Sequence, residues 1–218
     1  MKHLGLGLLL LLVHLQSHGQ GRHTKLLEAA EHGKYQPGWY TLLDGTRHAG
    51  KLRLWQTLTR NSVQVDQGKA DPINLMPEQL RHFTMGVDSF TVARGVAEAG
   101  QPPATPSDKA DIFRVVLKGK LEVLEHDELV TTYQNSGMSH YRTWVLRSGK
   151  DAGLVIIPTN NEAFTRHVGA FFADYPILAQ RIRAGLLGPA DFKRIVYAYI
   201  FRKDVEQVTY QEAATLFQ

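Results

Sequence analysis

The side chains in this chain that could do chemistry are histidines, carboxylates and a run of arginines and lysines. Of the ten histidines, His3, His14 and His18 fall in an N-terminal leader taken up below. The other seven are His23, His32, His48, His82, His126, His140 and His167. No two of them stand at the short spacing that metal ligands share on a helix or knuckle. The nearest approach to a ligand cluster is His126-Asp127-Glu128. That tripeptide reads as a strand end or turn carrying solvated polar groups, so no metal ligand is assigned. His167 falls on the apolar face of an expected helix and reads as a partly buried histidine at a helix–sheet seam. Glu122 with Glu125, and Asp127 with Glu128, offer paired carboxylates. Glycoside hydrolysis needs two carboxyls across a cleft at a separation the fold sets, and sequence spacing does not supply it.

The chain has 218 residues and no cysteine. Disulfides, thiolate metal sites and a cysteine nucleophile are excluded. There is no glycine-rich phosphate or dinucleotide loop, no Gly-Xaa-Ser-Xaa-Gly and no His-Glu-Xaa-Xaa-His. No catalytic residue and no cofactor follows from the sequence. Arg181, Arg183, Lys193, Arg194, Arg202 and Lys203 make the last third basic. They are weak binding candidates for an acidic glycan or a phospholipid headgroup, set against a plain solvated helical face. Nucleic acid is disfavoured, because basic and aromatic residues do not interleave as on a nucleic-acid-binding strand. Phe164, Phe171, Phe172, Tyr175, Phe192, Tyr197 and Tyr199 recur at helical spacing and read as core rather than as a ligand groove.

These side chains must be positioned by strands in the middle of the chain and helices at its end. Trp39 to Leu43 is rich in strand formers, and Asp44-Gly45 is a hairpin signal leading into a return strand from Arg47 to Trp55. Short strands are expected at Val63–Val65 and Ser89–Ala93. Pro72 to Phe83 reads as a break, a helix start at Pro77-Glu78-Gln79 and a turn. Gly95 to Asp111 holds Pro102, Pro103 and Pro106 with almost nothing to bury, and reads as a long surface loop, Pro-rich over 95–110. Strands at Phe113–Leu117 and Leu121–Leu124 flank Lys118-Gly119. Strands at Tyr141–Leu146 and Leu154–Ile157 flank Ser148-Gly149. Short Xaa-Gly turns argue for an antiparallel meander, since parallel neighbours need long crossovers.

Pro158 ends the strands. Thr159-Asn160-Asn161-Glu162 is a capping box with Thr159 as its cap. Helices are then expected from Phe164, from Pro176 and from Pro189, and Thr209 to Glu212 can cap a last turn. Phe164, Val168 and Phe171 share the first stripe, so Phe171 is expected in the core. The fold class is α+β: an antiparallel sheet, flat or rolled toward a half-barrel, followed by a small C-terminal helical bundle packed on it.

The start of the chain reads as an export signal. Lys2 and His3 precede a leucine-rich apolar run to Leu15, and Ser17-His18-Gly19 suits a signal peptidase. The run is shorter than a membrane span of about 20 residues. The formal net charge of +4 becomes +3 when Lys2 leaves with the leader. The expected organisation is a signal peptide over 1–19, an N-terminal segment over 20–36, a β region over 37–158 and a helical region over 159–218. The mature protein is expected in the periplasm or secreted, with no transmembrane helix.

Gly38 through Thr46, followed by Gly50-Lys51-Leu52, resembles the opening of a family of small exported proteins of unknown function from Bacteroidota. In that family a strand, an Asn/Asp-Gly turn and a glycine-started strand recur. Gln79 to Thr84 resembles its polar-to-aromatic segment, and Phe164 to Pro176 with Leu178 and Ile182 resembles its helical end. The likeness covers about Gly38 to Ile200. Its motifs are turns and helix stops, so it implies export and a β-then-α layout and no activity.

The leading expectation is a non-enzymatic envelope or secreted protein that binds a partner or surface, such as an envelope protein or acidic glycan. The alternatives are a hydrolase acting on envelope or environmental polymers, and a stress-induced structural protein. A cleft gathering carboxylate and histidine groups would favour the enzyme. An exposed apolar or basic patch would favour the binder.

Overall fold

The computed structural model describes residues 33–57, 60–68, 71–98, 109–132, 137–148 and 153–217. The expected leader, and the 20–36 segment up to residue 32, lie outside the described residues. Eleven strands form one sheet in the order β4-β3-β2-β1-β5-β6-β8-β9-β10-β11-β7. They are β1 (Gln36–Leu42), β2 (Arg47–Gln56), β3 (Asn61–Asp66), β4 (Ile73–Leu75), β5 (Leu80–Met85) and β6 (Asp88–Ala93), then β7 (Ala97–Glu98), β8 (Asp111–Leu117), β9 (Leu121–Thr132), β10 (Gly137–Ser148) and β11 (Val155–Ile156). The sheet does not close. Ten of its strands are linked by antiparallel pairing, and short helices follow, as the α+β reading expects.

Local chemistry sets the hairpins. At the β1–β2 turn, Asp44 Oδ1 accepts hydrogen bonds from the backbone N–H and the hydroxyl of Thr46. Gly45 there takes φ +92°, which a side chain would oppose. Burial on β1 to β6 gathers Tyr40, Leu52, Val63, Val65, Leu80, Phe83 and Met85 into one core, with the Phe83 and Phe90 rings stacked at 4.6 Å.

Four features of the strands and of the first helix cap depart from the sequence reading, and a fifth, at Phe171, lies in the helical region. His126-Asp127-Glu128 is not a strand end or turn: β9 runs through it to Thr132 and pairs β10 residue for residue. Its polar composition misleads because most acids along β9 meet partners on the neighbouring strands; Asp127 pairs with His140, Glu122 with Arg147 and Glu125 with Arg114. The Gly95–Asp111 loop is interrupted. Ala97–Glu98 pairs in parallel with Val155–Ile156, and Ala110 is buried. Two residues suffice for such a pairing, so no hydrophobic run announced it; residues 99–108 lie outside the described residues. Leu80–Met85, read in part as a turn, is strand β5 beside β1, because Leu80, Phe83 and Met85 bury against the β1–β6 core. The cap of the first helix is Asn160 rather than Thr159: its Oδ1 accepts the Ala163 N–H at 2.8 Å.

The helical region comprises α1 (Asn161–His167), α2 (Pro176–Arg183), α3 (Phe192–Phe201) and α4 (Tyr210–Ala214), joined by short 3-10 turns. Thr209 and Glu212 form the expected capping box of α4. Phe164, Val168, Phe172, Ile182, Ile195 and Val196 bury together with Leu121, Val123 and Leu146 of the sheet. Phe171 is only partly buried, and Phe172 is the fully buried ring. After His167 the chain tightens into a 3-10 segment, Val168–Phe172. Each residue there advances about 120° instead of 100°, so a stripe drawn at α-helical period goes astray. Among the described residues, no helix is long and apolar enough to cross a membrane.

Candidate functional site

Strands β8, β9 and β10 lie side by side, and alternation along β9 divides its charged run. Glu125 and Asp127 face one side, His126 and Glu128 the other. On the first side every acid is paired. Arg114 Nε donates to Glu125 at 2.6 Å and the same guanidinium lies 3.5 Å from Asp88. Asp127 is 3.0 Å from His140. The hollow enclosed there is about 50 Å³, room for little more than ordered water.

The second side opens into a cleft of about 540 Å³. Asp111, His126, Glu128, Tyr141 and Thr143 line it from the three strands, and Asn160 at the start of α1 lines its far wall. The β9–β10 register sets Thr143 opposite His126 and Tyr141 opposite Glu128. Asp111 Oδ2 lies 2.9 Å from His126 Nε2. The other carboxylate oxygen, Oδ1, accepts the Ile112 N–H at 2.8 Å and the Asn61 side-chain amide at 3.1 Å. Burial works to raise the Asp111 pKa. Hydrogen bonding and charge from His126, with the Ile112 N–H and Asn61, outweigh it and hold the carboxyl below its usual value. The Phe113 ring sits 4.9 Å from the imidazole and limits its tilt. Lys109 also lines the cleft. Thr143 Oγ1 is buried and has no hydrogen-bond partner among the described residues.

One ligand atom each from Asp111, His126 and Glu128 fall within 4.8 Å of one another, a set that could hold a metal ion. The sequence reading of His126-Asp127-Glu128 as solvated polar groups missed this. His126 is mostly buried, and Asp111 joins it from 15 residues away. The signal was the Lys118-Gly119 hairpin: extending its pairing past Leu124 carries β8 back toward Asp111 beside His126.

Four of the six basic candidates are paired with acids of the helical region. Arg181 pairs with Glu206 at 2.8 Å and Asp204 at 3.3 Å. Arg194 pairs with Asp191 at 2.8 Å and donates to the Val205 and Val208 carbonyls. Arg202 reaches Asp174 at 3.0 Å and lies over the Tyr199 ring. Lys203 stands 3.7 Å from Glu212, Lys193 lies over Trp144 and Phe217, and the Arg183 stem runs past Gly169. Of the histidines, His82 meets the Thr41 hydroxyl, His48 stacks on Tyr40 and His167 is partly buried, all apart from the cleft.

Comparison with protein-family models, with curated proteins and with solved structures finds no match to this chain.

Proposed function

We propose that the chain is an exported binding protein whose working surface is the cleft between β8–β10 and the start of α1. The observation that carries this reading is the convergence of Asp111, His126 and Glu128 on one open cavity. Two carboxylates there favour a small ligand that is polar and cationic. Four of the six basic candidates, Arg181, Arg194, Arg202 and Lys203, are already engaged by Asp174, Asp191, Asp204, Glu206 and Glu212, which weakens an acidic glycan as the leading partner.

A second reading, a hydrolase acting on exported polymers, is favoured by the Asp111–His126 pair. A carboxylate on one imidazole nitrogen fixes the ring for use as a general base. The two readings separate by turnover. Thermal melts of the mature chain with spermidine, glucosamine oligomers and polygalacturonate test the binder. An upward shift with a cationic probe, lost in Glu128→Gln, is the expected result. A shift confined to polygalacturonate, or none at all, overturns it. Hydrolysis of a chromogenic ester or glycoside that disappears in His126→Asn would replace it with the enzyme. Export itself predicts a mature N-terminus at or near Gln20, read by mass spectrometry of the envelope fraction. An intact N-terminus on protein from that host refutes it.

A further inference from the structure

Strand β9 carries four acids through its middle, Glu122, Glu125, Asp127 and Glu128. The first three have an arginine or histidine partner. Glu128, on the cleft side, has none among the described residues. Asp111 spends Oδ1 on Asn61 and the Ile112 N–H, so its orientation is fixed and Oδ2 is left toward His126. Neighbours that orient a ligand group in this way are what hold metal sites in shape. Thr143 lines the same cleft across from His126.

We propose that Asp111, His126 and Glu128 bind one divalent first-row transition-metal ion, of the Zn²⁺ class, with an open coordination position toward the cleft. The proposal rests on the cleft being the working surface. One imidazole nitrogen and two carboxylate oxygens make three protein ligands, the number that leaves a position for water or ligand. The imidazole disfavours Mg²⁺ and Ca²⁺, which take oxygen ligands. Two carboxylates offset the ion's charge.

The test uses the full mature chain, stripped with chelator and titrated with Co²⁺ alone and then Zn²⁺. Native mass spectrometry gives stoichiometry, and the visible d–d bands of Co²⁺ report its ligands. The expected result is one ion per chain, displaced by Zn²⁺ but not by excess Mg²⁺ or Ca²⁺. Glu128→Gln and His126→Asn should each weaken Co²⁺ by more than about tenfold, the lower end of what losing even an orienting neighbour costs. The Glu128 side chain is exposed, so Glu128→Gln should melt like the metal-free parent and exclude misfolding as the cause. Absence of stoichiometric Co²⁺ overturns the proposal. So does Co²⁺ binding unchanged in both variants, which would place the ion elsewhere. If spermidine or glucosamine oligomers still shift the melt through Glu128 while Co²⁺ does not bind, the metal falls and the binding cleft stands.

Discussion

Lys120 Nζ donates a hydrogen bond to Asp174 Oδ2 at 2.8 Å, joining the β8–β9 turn to the chain just before α2, 54 residues away. The same carboxylate oxygen accepts from Tyr199 Oη and Arg202, both at 3.0 Å. One small carboxylate thus ties a turn of the sheet, through Lys120, to two side chains at the end of α3.

This arrangement gives stability a pH dependence. The Lys120 hydrogen bond first, then those from Arg202 and Tyr199, hold the Asp174 carboxyl well below its ordinary 3.8 despite partial desolvation. A carboxyl depressed in the folded state stabilises above its unfolded pKa and loses that contribution as pH falls toward the folded value. Asp174→Asn should therefore be less stable than the parent in urea at pH 7. The gap should narrow steadily below about pH 4, where the unfolded carboxyl takes up its proton. A gap that stays constant with acid would mean that shape, not charge, makes the tie.

Phe172 is fully buried and meets the Tyr199 ring edge-on at 5.2 Å. Phe172→Ala should cost about 3–5 kcal/mol in a urea melt. Phe171→Ala, at a partly buried ring, should cost clearly less. The reverse order would restore an unbroken α-helical stripe through residue 171.

Arg114 joins Glu125 and Asp88 in a region where all three side chains are mostly buried. Arg114→Met leaves two carboxylates without their cation, and a loss of about 3–5 kcal/mol is expected. Adding Glu125→Gln to that variant should recover part of it. Strict additivity of the two substitutions in denaturant melts would show that the pair is not coupled.

Gly38 on β1 has no room for a side chain: an added Cβ would sit 2.0 Å from the Thr84 carbonyl oxygen of β5. Gly38→Ala must force the two strands apart, at a cost of at least about 1–3 kcal/mol. At Gly119 the nearest atom to such a Cβ is 3.7 Å away, and Gly119→Ala should melt within about 0.5 kcal/mol of the parent. Equal melting of the two variants would refute the steric account.

Much of the layout was legible because local rules acted alone. Asp44-Gly45, Pro77-Glu78-Gln79, Pro176 and the Thr209–Glu212 box mark a turn, a 3-10 start, a helix start and a cap whatever lies around them. The candidate site was not legible, because its parts obey pairing instead of propensity. Glu125, His126, Asp127 and Glu128 look like a turn until Arg114, Asp111 and His140 are seen beside them. A register shift between Val115 and Leu117 further hides which β8 residue meets which β9 residue. Ala97–Glu98 carries too little apolar surface to signal a strand, and its partner Val155–Ile156 lies beyond three intervening strands of sequence.

The two ends of the open sheet are its shortest strands but for β11: three residues in β4 and two in β7. An unclosed sheet presents unpaired N–H and C=O groups at each margin, and long margins invite other chains to continue the ladder. Among the described residues, the outermost strand at each margin offers only two or three residues of regular pairing, while β10 (Gly137–Ser148) pairs β11 at Val145 and Leu146 alone. Growth of the ladder from the two terminal strands is thereby cut short, and the free length of β10 is the stretch that another chain would have to use.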